Sequence, residues 1–182
     1  IINKRKNKII ASAGGGAVGK NLLLTSIKCR KLTLLKDYKW RIFIGTNESQ
    51  ANVKELSIIA KKYGGKVSIE KNHKNFYNVL VNAKFSISQA GYNTLVDIIS
   101  AKTNALVIPF QGRGETDQIL RANIFKKYNL INILEESLLD QKTLAQSVNN
   151  SLINRKINHN QINLSGTFNT INFINKLTES NF

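Results

Sequence analysis

Residues 86–118 read SISQAGYNTLVDIISAKTNALVIPFQGRGETDQ, and this stretch decides the fold. A short strand runs into a glycine-containing turn, a helix follows, and a second strand closes at Pro109 before an irregular polar loop. That second strand, ALVIP at 105–109, is apolar without alternation. A strand of this kind is covered on both faces, as in a parallel sheet lying between two layers of helices. The unusual polar residues all fall at element ends: Gln89 before the turn, Asn93 and Thr94 after Gly91, Asp117 and Gln118 where the next helix opens. Strand ends and helix starts leave backbone groups free, so a ligand is expected there.

Outward from this stretch the same alternation continues. KIIASA (8–13), WRIFIG (40–45), KVSIEK (66–71), KFSIS (84–88) and INIL (131–134) read as strands. Helical spacing of apolar residues fills the gaps: from Ala17 through Val18, Leu22 and Ile27, then over 50–63, 74–83, 94–102, 117–128 and 140–154. The basic run Lys28, Arg30 and Lys31 suits the C-terminal dipole of the first helix, and Gly64–Gly65 is expected to end the second as an αL cap. Strands separated by helices throughout give an α/β class: a Rossmann-like parallel sheet with helices on both faces.

A chain of 182 residues can build one sizeable core, so residues 1–182 are expected to form a single domain. It has a basic lead-in over 1–8 and a C-terminal tail over 158–182, in which LSGTFNTINFINKL forms a small helix turning at Gly166. The chain opens Ile-Ile-Asn-Lys rather than on Met, which leads us to expect a piece of a longer protein.

The 27 Lys and Arg against 11 Asp and Glu give a formal charge of +16. No zinc-finger spacing, arginine-rich helix or basic–aromatic strand accompanies it, so nucleic acid is not the expected partner. Weak attraction to anionic lipid headgroups is the expected consequence. One cysteine, Cys29, excludes an internal disulfide and an all-cysteine metal site, and with only His73 and His159 besides no metal site is expected. No run approaches the ~20 apolar residues of a membrane span, and a reducing, cytoplasmic setting is expected, at the inner face of the membrane.

Two glycine-rich turns carry the chemistry. GGGAVGKN (14–21) satisfies the dinucleotide spacing at Gly14, Gly16 and Gly19 and most of a phosphate loop at Gly14, Gly19 and Lys20. Asn21 stands where the phosphate loop needs a hydroxyl for magnesium, and the second strand ends in Gly45 where a dinucleotide fold wants an acid. What remains is a turn that allows close approach and points N–H groups at negative charge, or a turn that is merely sharp. Lys20 reads either as a phosphate contact or as a solvated lysine.

The second turn, QAGYNT (89–94), has Gly91 for a turn no side chain could share, with Asn93 and Thr94 in the opening of a helix. Capping alone accounts for one of them; the two together make a cradle of diphosphate size. Asp97, one turn on, is placed to accept from two vicinal hydroxyls, or is a favourable acid near a helix start. In GRGETDQ (112–118) Asp117 and Gln118 are hydroxyl-recognition chemistry, with capping by the Asp as the other reading, and Arg113 either meets phosphate or offsets Glu115.

Read together, SQAGYNTLVDIISAKTNALVIPF and GETDQILRA resemble the C-terminal, donor-binding domain of GT-B glycosyltransferases of the family 28 type, the group of the bacterial peptidoglycan N-acetylglucosaminyltransferase. The resemblance runs from about residue 9 to 144. It implies the C-terminal half of a GT-B fold and transfer of a hexosyl group, N-acetylglucosamine or a related sugar, from a UDP-sugar to a hydroxyl acceptor, lipid-linked or small. The nucleotide sugar is a substrate, and no cofactor is implied.

By the same resemblance Gly14, Gly15 and Gly16 border the diphosphate and sugar. Gly91, Asn93 and Thr94 bind the diphosphate, and Asp97 the ribose, where most relatives have Glu. Asp117 and Gln118 hold the donor sugar. Gln89 stands where many plant relatives carry His, and the base lies against the backbone near Ile69 and Glu70. The acceptor site and the usual catalytic base belong to an N-terminal domain that is absent from this chain and is its expected partner. No catalytic residue is therefore assigned here, and His73 reads as surface. Two other readings stay open: a UDP-sugar epimerase or hydrolase on the same scaffold, and a non-catalytic donor-binding subunit working with a membrane-anchored partner.

Overall fold

The computed structural model describes residues 7–14, 19–71, 75–114 and 116–153. Six strands alternate with six helices: β1 Lys8–Ser12, α1 Lys20–Cys29, β2 Lys39–Ile44, α2 Gln50–Tyr63, β3 Val67–Lys71, α3 Phe76–Val81, β4 Phe85–Gln89, α4 Tyr92–Ser100, β5 Ala105–Ile108, α5 Asp117–Lys127, β6 Asn132–Ile133 and α6 Gln141–Ile153. The strands form one parallel sheet in the order β3-β2-β1-β4-β5-β6. Fold class and element order match the expectation from sequence. Two helices differ from the expected spans at both ends: α4 runs Tyr92–Ser100 rather than 94–102, and α3 runs Phe76–Val81 rather than 74–83, with Asn75 capping its start. The tail over 158–182 and the start of the first helix at Ala17 lie outside the described residues.

Alternation along the strands divides the core into two layers. Ile9, Ala11, Trp40, Ile42, Ile44, Phe85 and Ile87 pack with Leu23 and Ile27 of α1, Leu56 of α2 and Leu144 and Val148 of α6. On the opposite face Ala105 and Val107 pack with Leu95 and Ile98 of α4 and Ala122 of α5, while Ile10 and Phe43 meet Val79 of α3. With helices packed on both faces, the carboxyl ends of the strands are the place for chemistry.

Two expectations about helix ends are corrected. Gly64 does end α2, but at φ 84 and ψ 146, an extended conformation open to glycine rather than αL. Arg30 does not serve the C-terminus of its own helix. It is buried, and its guanidinium donates to the carbonyls of Lys36, Tyr63 and Gly64, so it caps α2 and ties the α1–β2 connection to it. Sequence proximity favoured the nearer dipole; tertiary packing put the cation against carbonyls 33 and 34 residues away.

Candidate functional site

β1 and β4 are neighbours, yet the chain leaves β1 toward β2 and leaves β4 toward β5, on opposite sides. At such a reversal of strand order the two connections part and open a crevice at the carboxyl ends of the strands. The register pairs Ser12 with Ser88, which brings the turn after each strand to the same place. The two glycine-rich turns singled out in the sequence therefore meet: a Cβ on Gly14 would lie 3.9 Å from Oε1 of Gln89, which is buried.

The glycines do different work. Gly14 has φ +68, where a side chain is strained. Gly19 is required by packing, since a Cβ there would come within 2.0 Å of the Ala13 Cβ and force α1 off β1. Gly91 corrects the sequence reading. Its φ −59 and ψ 144 suit any residue, and a Cβ would merely touch Thr94 Oγ1 at 3.7 Å. The turn does not need a glycine, so what its absence of side chain provides is open space before the first N–H groups of α4. Gly15, Gly16 and His73 lie outside the described residues.

Helix starts around the sheet fall into two sets. α2, α3 and α6 are closed by side chains: Ser49 accepts from Asn52 N, Asn75 from Asn78 N, and Asp140 from the amides of Lys142 and Thr143. α1, α4 and α5, which follow Gly19, Gly91 and Thr116, have no side-chain cap. Capping is therefore removed as the reason for Asn93, Thr94 and Asp117. Asn93 is exposed and Thr94 half-buried in the first turn of α4, and Asp117 is exposed in the first turn of α5. Amides left free at a helix start, with the positive end of its dipole behind them, attract an anion.

Asp97 stands one turn beyond Asn93 and Thr94, on the same side of α4. It is half-buried, and desolvation raises its carboxyl above the ordinary value. Among the described residues no side chain bonds or pairs with it, so its acceptor capacity is open. Gln118 is partly engaged: its Oε1 accepts from Phe110 N at 3.1 Å, leaving the amide NH2 to donate elsewhere. That bond folds the β5–α5 loop back, with the Phe110 ring filling the space a side chain on Gly112 would need.

Lys20, half-exposed, forms an ion pair with Glu55 of α2 at 2.6 Å. Near the expected base position Glu70 is held by Arg41, and also accepts from Ser68 Oγ at 2.7 Å. The Arg41 guanidinium beside it pulls the Glu70 carboxyl down to about 2. The side chain is thus occupied, which leaves the backbone of β3, an edge strand, as the open part.

Two features were missed from sequence. Ser12, Ser86 and Ser88 form a buried hydroxyl chain across β1 and β4, with Ser12 Oγ donating to Ser88 Oγ at 3.1 Å and the Ser86 and Ser88 hydroxyls 2.8 Å apart. The signal was the alternation of Ser86 and Ser88 with Phe85 and Ile87 in β4. Arg121 of α5 donates to Ala90 O at 3.4 Å and lies over the exposed Tyr92 ring at 5.7 Å, linking α5 to the start of α4. A separate cavity of about 230 Å³ beside β6, lined by Pro109, Ile119, Asn123, Lys126 and Leu138 among others, shares none of the crevice residues. Among the described residues no group of three or more His, Cys, Asp and Glu could hold a metal ion.

Comparison with known proteins gives the same picture. The chain is similar to the UDP-N-acetylglucosamine--N-acetylmuramyl-(pentapeptide) pyrophosphoryl-undecaprenol N-acetylglucosamine transferase of Clostridium perfringens (strain SM101 / Type A), with 24% identity over 173 residues, 94% of this chain and 46% of that protein. The enzyme of the same name from Clostridium botulinum (strain Alaska E43 / Type E3) is 28% identical over 98% of this chain and 48% of its own length. The chain thus spans about half the length of these curated relatives. In three dimensions it is similar to Acinetobacter baumannii MurG, with a TM-score of 0.71 at 17% identity, covering 96% of this chain and 51% of that one. Residues 13–172 match the family described as "Glycosyltransferase family 28 C-terminal domain". Sheet order, crevice and match agree, and the chain belongs to that family, as one half of a GT-B fold.

Proposed function

We propose that the chain is the donor-binding half of a glycosyltransferase that moves a hexosyl group, N-acetylglucosamine or a close relative, from a UDP-sugar to a hydroxyl. The observation that carries this reading is the approach of the two glycine turns, Gly14 to Gln89, at the β1/β4 reversal, with no side-chain cap on the α1 and α4 starts that follow them. Relatives sharing the family are named for such a transfer. The diphosphate lies against Gly91, Asn93 and Thr94 and is bordered by Gly14, Gly15 and Gly16, with Gln89 beneath. Asp97 accepts from the ribose hydroxyls; Asp117 and the free amide of Gln118 take the sugar hydroxyls; the base runs along β3 near Ile69 and Glu70.

In the reaction the acceptor oxygen bonds to the anomeric carbon as the bond to the diphosphate oxygen breaks, and the acceptor proton passes to a base outside this chain. Negative charge grows on the departing UDP. Oriented amides and a helix dipole stabilise charge as it develops, without reorganising at the moment of reaction. This chain supplies that stabilisation and the orientation of the donor; the acceptor and the proton acceptor belong to the partner domain.

The test is amide resonance mapping by NMR on addition of UDP. Shifts centred on Gly14, Gly91, Asn93 and Thr94 support the reading. Shifts centred on the cavity beside β6, at Ile119, Asn123 and Leu138, contradict it.

A further inference from the structure

Arg121 opens the second turn of α5, four residues after Asp117 and three after Gln118, so the three share one side of that helix. Ile119, Asn123 and Lys126 line the cavity beside β6 and take the opposite side. Side chains lean toward the N-terminus of their helix, so a long arginine at this place reaches back to the crevice end of the sheet. It arrives at the start of α4. Its Nη1 donates to Ala90 O at 3.4 Å, one residue before Gly91, and the guanidinium carbon stands 5.7 Å from the centre of the Tyr92 ring.

This arginine is only loosely committed. Arg30 and Arg41 show what a structural arginine does in the same chain. The first is buried and donates to Gly64 O at 2.8 Å and to two further carbonyls, and the second donates to both oxygens of Glu70. Arg121 is half-buried and makes one long hydrogen bond, and among the described residues no carboxylate pairs with it. A guanidinium carries five N–H donors in a planar fork, so most of its capacity is unspent.

We propose that Arg121 is a cation of the donor site and donates to the phosphate that carries the hexose. This rests on the donor reading above, in which the start of α4 takes the diphosphate and the start of α5 takes the sugar. Arg121 comes from the α5 side and ends against the α4 turn, so the phosphate it meets is the one joined to the sugar. When the bond from the anomeric carbon to that phosphate's oxygen breaks, the electron pair stays on the oxygen. A charge-assisted hydrogen bond at that oxygen strengthens as the charge develops, which favours the transition state over the bound donor. The Tyr92 ring steadies the guanidinium beside the turn.

The test is calorimetric titration of the full 182-residue chain with UDP, which has both phosphates, and with UMP, which lacks the second. In Arg121→Gln the affinity for UDP should fall by about tenfold or more, the scale of a hydrogen bond to a charged group, and that for UMP by less than about twofold. Arg121→Lys, which keeps the charge without the fork, should lose less UDP affinity than Arg121→Gln. Lys127→Gln, which removes an exposed charge from the same helix, should leave both ligands unchanged. If Arg121→Gln loses its thermal transition, Arg121→Lys carries the test, and its ratio of UDP to UMP affinity should still fall. An unchanged ratio, an equal loss of both ligands, or the same loss in Lys127→Gln overturns the role of Arg121 while the donor reading stands. A parent chain that binds neither ligand overturns both.

Discussion

Gly14 and Gln89 face each other across the seam between β1 and β4, the position of a Cβ on the first lying 3.9 Å from Oε1 of the second. This relationship joins two turns that are 75 residues apart in sequence into one crevice.

Gly91→Ala should leave the fold intact and weaken UDP binding. The backbone there suits alanine and the new methyl meets only Thr94 Oγ1 at 3.7 Å, but it stands before the open amides of α4. Denaturation midpoints should shift by less than about 0.5 kcal/mol, the range of unobstructed surface changes. Gly14→Ala, at φ +68, should instead cost about 1–2 kcal/mol of stability. Gly19→Ala should cost about 1–3 kcal/mol by overpacking against Ala13. Urea unfolding of the three variants checks the order.

Asp97 predicts a trade between stability and binding. Its carboxyl is raised by desolvation, so the folded state holds the proton more tightly than the unfolded one. Stability from this group therefore falls as pH rises from the ordinary carboxylate value through the raised one, and stays lower above it. Asp97→Asn should unfold at higher denaturant than the parent at neutral pH, with the gain vanishing in acid. The same change should weaken UDP by roughly tenfold or more, the loss of a charged acceptor to hydroxyls.

Glu70 predicts the opposite pH slope. Arg41 lowers its carboxyl to about 2, so its contribution is full above the ordinary glutamate value and is lost as pH falls toward 2. Acid titration of unfolding should be shallower in Glu70→Gln across that window. An unchanged acid limb would show that the pair contributes nothing.

Gln118→Ala removes the acceptor for Phe110 N and the amide offered to a sugar. Stability should drop by about 1 kcal/mol, the usual scale for one such bond. Discrimination between UDP-N-acetylglucosamine and UDP-glucose should narrow while affinity for UDP itself holds. Calorimetry with the three ligands reads both effects.

Fold class was legible because the apolar strands at 105–109 and 8–13 and the helical spacing between strands are local signals. The turns were legible: Gly14, Gln89 and Gly91 stand out at strand and helix ends, and the structure brings Gly14 and Gln89 together. What sequence did not give was the reason for each residue. Gly91 looked like a backbone necessity and is not one, since a dihedral is set by the path of the chain on both sides. Arg30, Arg121 and the Ser12–Ser88 contact act across 31 to 76 residues, a distance over which no periodicity reports.

The most direct measurement is calorimetric titration of the folded chain with UDP and, separately, with NAD. The account predicts saturable UDP binding that Thr94→Val and Asp97→Ala weaken, and no comparable binding of NAD. A folded sample that fails to bind UDP, or that prefers NAD, would contradict the assignment of the β1/β4 crevice as a nucleoside diphosphate site.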